Sequence, residues 1–224
     1  KMINPVQIIT KDEYRMTFKG EFLINGFKNN VNIIACQKIE VQTLLRELMI
    51  RNRLKGKYFP KFYGCINETN NISIITEYIE GENLGLKKFL KAPDEVKIII
   101  IKNLLKALLE LHKQNIIYRD LKPSNVIIDK YYNVYFTTFL ISKENDNLNT
   151  FKRGTIPYLS PEAFEENSEK LVLITDKADV WSFGCLVSYL FSGIIPWTNK
   201  FDINVNCENR IIQALSSKQE FPIP

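Results

Sequence analysis

Hydrophobic and polar positions follow two different periods along this chain. Residues 14–24, 31–39 and 72–79 concentrate Ile, Val, Phe and Tyr in short runs, and Asn25-Gly26 and Asn70-Asn71 supply turn chemistry between such runs. The pattern predicts strands joined by tight turns. Between the second and third runs, Glu40 to Leu54 carries apolar residues at 41, 44, 45, 48, 49 and 54, a helical spacing. After Gly81 the longer period takes over. Pro93-Asp94-Glu95 is a helix start, with proline in the first turn and carboxylates beside the positive end of the helix dipole. Val96 to Leu111 is apolar almost all round, which predicts a deeply buried helix. A further helix is expected from Asp176 to Ser192, ended by Gly193 and Pro196, and a shorter one over Cys207 to Ser216. No internal repeat or low-complexity linker interrupts the chain. These elements predict a small β-rich lobe, residues 1–80, and a larger helical lobe, residues 81–224, with the boundary near residues 78–84.

Composition narrows the class. With 224 residues, 45% hydrophobic, 25% charged and 12% aromatic, the chain is ordinary globular material, not a collagen-like repeat or a disordered tail. A net charge of +5 is modest, and the basic residues are scattered in pairs, so no nucleic-acid partner is expected. Cys36, Cys65, Cys185 and Cys207 have no CxxC spacing, which points to free thiols in a reducing compartment. The apolar run Ile98 to Ile101 is far too short to span a bilayer, and residues 1–20 hold no signal-peptide core. A cytoplasmic protein without a membrane span is the expectation.

The most informative stretch is Ile117-Tyr118-Arg119-Asp120-Leu121-Lys122-Pro123-Ser124-Asn125-Val126-Ile127-Ile128, between the predicted buried helix and a hairpin turn at Asp129–Asn133. A carboxylate, an ammonium and a carboxamide at Asp120, Lys122 and Asn125 share one short loop between apolar anchors. Such a loop can aim a base at a hydroxyl, a cation at a phosphate and an amide oxygen at a metal ion. The stretch resembles the catalytic loop of the protein kinases, H-R-D-x-K-x-x-N, with Tyr118 in place of the histidine.

Companion motifs extend the resemblance over residues 8 to 224. Thr76-Glu77-Tyr78-Ile79-Glu80-Gly81 is similar to the hinge that holds adenine. Gly154-Thr155 and Tyr158-Leu159-Ser160-Pro161-Glu162 resemble the end of the activation segment, with serine for alanine in A-P-E. Asp179-Val180-Trp181-Ser182-Phe183-Gly184 resembles the helix whose aspartate braces the catalytic loop. The resemblance implies a bilobal α+β fold: a five-stranded antiparallel sheet plus one helix, then a mainly helical lobe. It implies catalytic positions at Asp120, Lys122 and Asn125, and a nucleotide cleft lined by Ala35, Gln37, Glu47, Thr76, Glu77, Ile79, Ile127 and Thr138. Lys122 and Gly154-Thr155 fit the serine/threonine pattern. The chain stops at Phe221-Pro222-Ile223-Pro224, before the helices that close the family's large lobe, so Glu162 is expected to lack its late arginine partner.

Four functional positions depart from the family. Thirteen residues after Asn125, Thr138-Phe139-Leu140 stands where D-F-G belongs. Threonine is a poor ligand for the Mg²⁺ that aspartate would hold, which leaves Asn125 as the one weak metal ligand. On the strand that should carry V-A-x-K, aligning Ile34-Ala35-Cys36-Gln37 puts Gln37 in the lysine position. Shifting by one recovers Lys38 but misplaces Cys36 and Gln37, so the first register is preferred. Glu47 is then the helix glutamate with its usual partner missing. Phe18-Lys19-Gly20-Glu21 resembles the end of the second strand, and counting back puts Thr10, Asp12 and Arg15 where the three phosphate-loop glycines belong. Arg51, four after Glu47, is an awkward side chain for an apolar layer.

The four losses together imply a pseudokinase: a protein-binding or regulatory module of signalling, whose partner is another protein such as an active kinase. ATP with Mg²⁺ is expected to bind weakly, and no cofactor is assured. The alternative is a serine/threonine kinase with displaced phosphate ligands, using Asp120 as base and Lys38 in place of Gln37. Among the remaining residues, His112 and Trp181 are assigned to packing and Cys36 to a small buried hydrophobe, while Thr150 and Thr155 are weak candidates for phosphorylation.

Overall fold

The computed structural model describes residues 4–11, 15–24, 27–68, 71–145, 154–164, 173–200 and 207–217. The chain divides into two compact units, Lys1–Glu80 and Gly81–Pro224. The predicted turns at Asn25-Gly26 and at Asn70, together with Asp12, Thr150 and the last seven residues, lie outside the described residues.

The first unit is a five-stranded antiparallel sheet. Its strands are β1 (Asn4–Lys11), β2 (Arg15–Ile24), β3 (Phe27–Cys36), β4 (Phe62–Glu68) and β5 (Asn71–Glu77), in the order β1-β2-β3-β5-β4. Strand β3 is central and buried on both faces, which its largely apolar run Val31-Asn32-Ile33-Ile34-Ala35-Cys36, interrupted only by Asn32, foreshadows. Ile34 and Cys36 meet Leu44 and Ile74, while Val31 and Ile33 on the opposite face meet Ile75, as the two-residue side-chain period requires. Helix α1 (Val41–Arg53) follows β3 after four residues and supplies Leu44 to that first cluster. Strands β1 and β4 carry no clear alternation in sequence; their pairing with β2 and β5 makes them strands.

Two expectations change here. The strand expected over 31–39 ends at Cys36, because Lys38 takes a left-handed φ of 54° that breaks the extended run. Gln37 and Lys38 are both exposed connector residues, so strand alternation does not choose between them. Phe18-Lys19-Gly20-Glu21 lies in the middle of β2 rather than at its end, paired with Ile33, Asn32, Val31 and Asn30.

The second unit begins with β6 (Gly81–Asn83), the one-turn helix α2 (Lys87–Leu90) and α3 (Asp94–Lys113). Pro93 caps α3, and Asp94 and Glu95 occupy its first turn. The helix is not buried all round. Ile100, Leu104, Ala107, Leu108 and Leu111 are buried, but Ile98, Ile99, Leu105 and Leu109 are 43–53% exposed. The buried set follows the helical period along one face, which packs on β7 (Ile116–Ile117), on β9 (Val134–Phe136) and on α4 (Lys177–Ser192). Strands β6, β8 (Val126–Asp129) and β9 form a small antiparallel sheet, and β7 pairs with β10 (Lys143–Glu144). Helix α4 ends at Gly193, whose φ of 72° suits a residue without a Cβ and lets its N–H bond to the Tyr189 carbonyl at 2.8 Å. Helix α5 (Cys207–Ser217) adds Ile211 and Ala214 to a cluster with Leu159, Ile174 and Trp197.

Candidate functional site

In the second unit, β7 delivers the chain into the loop that holds Asp120. Asp179 of α4, fully buried, fixes the entry to this loop. Its carboxylate accepts the backbone N–H of Tyr118 at 2.8 Å and of Arg119 at 2.7 Å, and lies 2.8 Å from Nε2 of His112. Three such partners justify removing a carboxylate from water. They also hold Arg119 in a left-handed conformation, φ 70°, that the loop adopts just before Asp120. His112, assigned to packing, therefore has a polar role as well.

Tyr118 anchors the same loop from beneath. Its ring is fully buried, stacks on Phe136 at 4.7 Å and meets Phe139 edge-on at 5.6 Å. Its hydroxyl reaches the Asn125 carbonyl at 3.4 Å, and Ser142 donates to the Tyr118 carbonyl at 2.9 Å. The stack ties the loop to the segment containing Thr138, whose side chain is half-buried beside Phe139 in sequence. No linear pattern announces this contact, since β8–β9 pairing, Val126 opposite Phe136, brings the rings together.

Asp120, Lys122 and Asn125 do converge. The Asn125 amide donates to Asp120 Oδ2 at 2.6 Å and to the Asp120 carbonyl at 2.8 Å. Lys122 Nζ lies 3.3 Å from Asp120 Oδ2 and donates to Thr155 Oγ1 at 2.6 Å. Thr155 in turn donates to Asp120 Oδ1 at 2.8 Å. Thr155 thus bridges the acid and the cation. Gly154 before it has φ 142°, and a Cβ there would stand 3.0 Å from the Arg119 carbonyl and 2.5 Å from Leu159, so a side chain would displace this bridge.

The sequence profile of the protein kinase domain matches residues 28–224. The chain belongs to the protein kinase family. It is 28% identical over 212 residues to the MCK1 mitogen-activated protein kinase kinase kinase of Pyricularia oryzae, covering 87% of this chain and 14% of that protein. It is 32% identical over 178 residues to the serine/threonine-protein kinase STE11 of Saccharomyces cerevisiae, covering 76% of this chain and 24% of that kinase. Mitogen-activated protein kinase kinase 1 of Arabidopsis thaliana is 32% identical over 183 residues, which cover 79% of this chain and 49% of that protein. The kinase domain therefore spans less than half the length of each of these relatives.

In the first unit of this kinase domain, Glu47 is fully buried and has partners. Arg51 bonds its Oε1 at 2.8 Å from one turn along α1, and Arg15 of β2 donates to both carboxylate oxygens, to Oε1 at 3.3 Å. Burial alone would raise the carboxyl pKa; the Arg51 and Arg15 guanidiniums overcome it and hold Glu47 below the usual carboxylate range. Two sequence readings are corrected together. The glutamate does not lack a partner, and Arg51, 4% exposed, is no misfit in an apolar layer because the carboxylate receives its charge. Arg15, counted as a missing loop glycine, is a strand residue paired opposite Cys36. A sequence signal existed: Glu47 and Arg51 stand at i and i+4, the spacing of helical ion pairs.

The other residues assigned to the nucleotide cleft distribute as follows. Ala35 is half-buried on β3, and Thr76 is 2% exposed on β5 opposite Asn32. Glu77 bonds Lys61 through its backbone N–H at 2.8 Å, and its side chain accepts the Lys61 N–H at 3.1 Å. Ile79 is half-buried. Ile127, half-buried on β8, and Thr138 belong to the second unit. Thr10 lies exposed on β1, and Cys36 is buried, its thiol 3.6 Å from the Ile34 carbonyl.

The donor set does not suit a resident Mg²⁺. That ion takes oxygen ligands in octahedral geometry, with carboxylates foremost. Position 138 offers a neutral hydroxyl, Asn125 offers at most one neutral amide oxygen, since its amide nitrogen donates to Asp120, and no three His, Cys, Asp or Glu side chains converge among the described residues. Among those residues no helix is long and apolar enough to cross a membrane.

Proposed function

We propose that this kinase domain is a pseudokinase that works by binding another protein in a cytoplasmic signalling cascade and transfers little or no phosphate. The observation that carries the reading is the commitment of Glu47 to Arg15 and Arg51. In a working kinase that glutamate orients a lysine on the nucleotide phosphates; here its charge is satisfied by two arginines, and the connector after β3 holds Gln37 and Lys38 exposed. Thr138 in the metal position supports the same conclusion. The relatives named as kinases of mitogen-activated cascades make a kinase of such a cascade the favoured class of partner.

A second reading, a weak serine/threonine kinase, rests on one specific observation. Asp120, Lys122, Asn125 and Thr155 form a closed hydrogen-bond network that could receive a substrate hydroxyl. Thermal melting with ATP, with and without Mg²⁺, separates the two, because a ligand that binds only the native state raises the midpoint. The pseudokinase reading expects no Mg²⁺-dependent shift at micromolar ATP. A clear Mg²⁺-dependent shift would favour the enzyme.

A further inference from the structure

Ser160 stands just before the short helical turn Pro161–Phe164 of the second unit. It is 2% exposed, and its buried Oγ has no hydrogen-bond partner. Ser160 lines a cavity of about 20 Å³ that Arg119 and helix α4 also line. A buried hydroxyl that no protein group satisfies is uncommon and calls for a water or an ion. Room of about 10–15 Å³ holds one water-sized occupant, so this cavity takes one and not two.

The polar side chains around the cavity favour an occupant that accepts hydrogen bonds. Arg119 is 6% exposed, with its Nε withdrawn from water. A guanidinium donates and never accepts, and it keeps its charge at every working pH. The Ser182 hydroxyl, also on the wall, has its one proton committed to the Tyr158 carbonyl at 2.8 Å or the Ala178 carbonyl at 3.1 Å. Ser160 is then the hydroxyl with a proton to give. No carboxylate is among the described lining residues, and the others, Ile174 and Ala178 included, are aliphatic. The neighbouring Asp179 carboxylate is engaged elsewhere, by the Tyr118 and Arg119 backbone N–H groups and by His112. A small, largely apolar cavity with a cation, a hydroxyl proton and no acid suits an anion better than a neutral molecule.

We propose that this cavity binds one monovalent halide ion, physiologically chloride, through the Ser160 hydroxyl and the Arg119 side chain. Phosphate, sulfate and carboxylates carry too many heavy atoms to enter it. The ion joins segments far apart in sequence. Arg119 precedes Asp120, Ser160 follows the Thr155 whose hydroxyl bridges Asp120 and Lys122, and Ser182 belongs to α4. An occupied site therefore braces the Asp120 loop and the Thr155 segment against α4, whether or not the domain transfers phosphate. The sequence holds one clue. Serine stands where the family's A-P-E motif has alanine, and only serine carries a hydroxyl into this space.

The test compares thermal melting of the 224-residue chain in sodium gluconate and in sodium chloride at constant ionic strength, so that screening is unchanged. Raising chloride through the millimolar range is expected to raise the melting temperature along a saturating curve, because a ligand confined to the native state stabilises it. Bromide should act as chloride does. Ser160→Ala installs the family's usual residue, so it should fold, and it should weaken the apparent halide affinity at least tenfold. In gluconate its melting temperature should equal or exceed that of the parent protein. A hydroxyl with a purely structural role would instead lower it in both salts. Crystals grown in sodium bromide should give an anomalous peak within hydrogen-bond distance of Ser160 Oγ. Equal melting in gluconate and chloride, the result a water occupant would give, overturns the proposal. So does a chloride shift that Ser160→Ala retains, a variant less stable than the parent in gluconate, or bromide found only on the protein surface.

Discussion

Arg51 and Glu47, one helical turn apart on α1, meet at 2.8 Å with both side chains withdrawn from water. With Arg15 on the other side of the carboxylate, they make a buried Arg–Glu–Arg cluster linking the helix to β2. Breaking a buried ionic group by removing one partner costs more than replacing the whole group with apolar side chains. Glu47→Ala should therefore lose on the order of 3–5 kcal/mol, because two buried guanidiniums lose their common partner. The triple variant Arg15→Met, Glu47→Leu, Arg51→Met should lose less than that single change. Urea unfolding of the series checks this, and a triple variant less stable than Glu47→Ala would refute it.

The same cluster sets an acid limit. The folded-state pKa of Glu47 is lowered, so its contribution is complete above the ordinary carboxylate value, about 4.5, and is lost as pH falls toward the folded value. Stability should fall with decreasing pH below about 4.5, and Glu47→Gln should show a shallower slope across that window. Identical slopes for the two proteins in urea unfolding from pH 5 to pH 3 would contradict the assignment.

Tyr118 carries the catalytic-loop position through its ring more than through its hydroxyl. Removing a buried aromatic ring to alanine costs roughly 3–5 kcal/mol, whereas a neutral hydrogen bond contributes about 1 kcal/mol net. Tyr118→Ala should be severely destabilised. Tyr118→Phe keeps the stack on Phe136 and Phe139 and gives up a 3.4 Å bond, so it should stay within about 1 kcal/mol of the parent protein. Equal losses in the two variants would show that the hydroxyl carries the contact.

The sequence made the family legible through one loop. Asp120, Lys122 and Asn125 were found because they lie within six residues, and the structure brings them together with Thr155 from far along the chain. Helix α1 is legible from its apolar period alone, and α4 from the Gly193 that ends it. What was missed depends on contacts between distant segments. Arg15 and Glu47 are 32 residues apart, and His112 and Asp179 are 67 apart, distances over which no local period operates. The helix expected to be buried all round was misjudged for a related reason: isoleucines at 98 and 99 raise the apolar count without facing a neighbouring element. The Gln37–Lys38 alternation failed because one positive φ, at Lys38, breaks the extended run and the strand ends at Cys36, three residues before the expected Ile39.

Phosphoryl transfer tests the central claim most directly. A positioned base such as Asp120 contributes typically about 10²–10⁴-fold, but the reaction depends mainly on neutralising the transferred group. Loss of a single preorganised electrostatic contact costs on the order of 10²–10³-fold, and on the proposed reading the metal position, Thr138, and the lysine position, Gln37, are both altered. Purified protein incubated with radiolabelled ATP and Mg²⁺ should therefore label neither itself nor a generic basic substrate above an Asp120→Asn control. Labelling by the parent protein that the Asp120→Asn variant lacks would contradict the account.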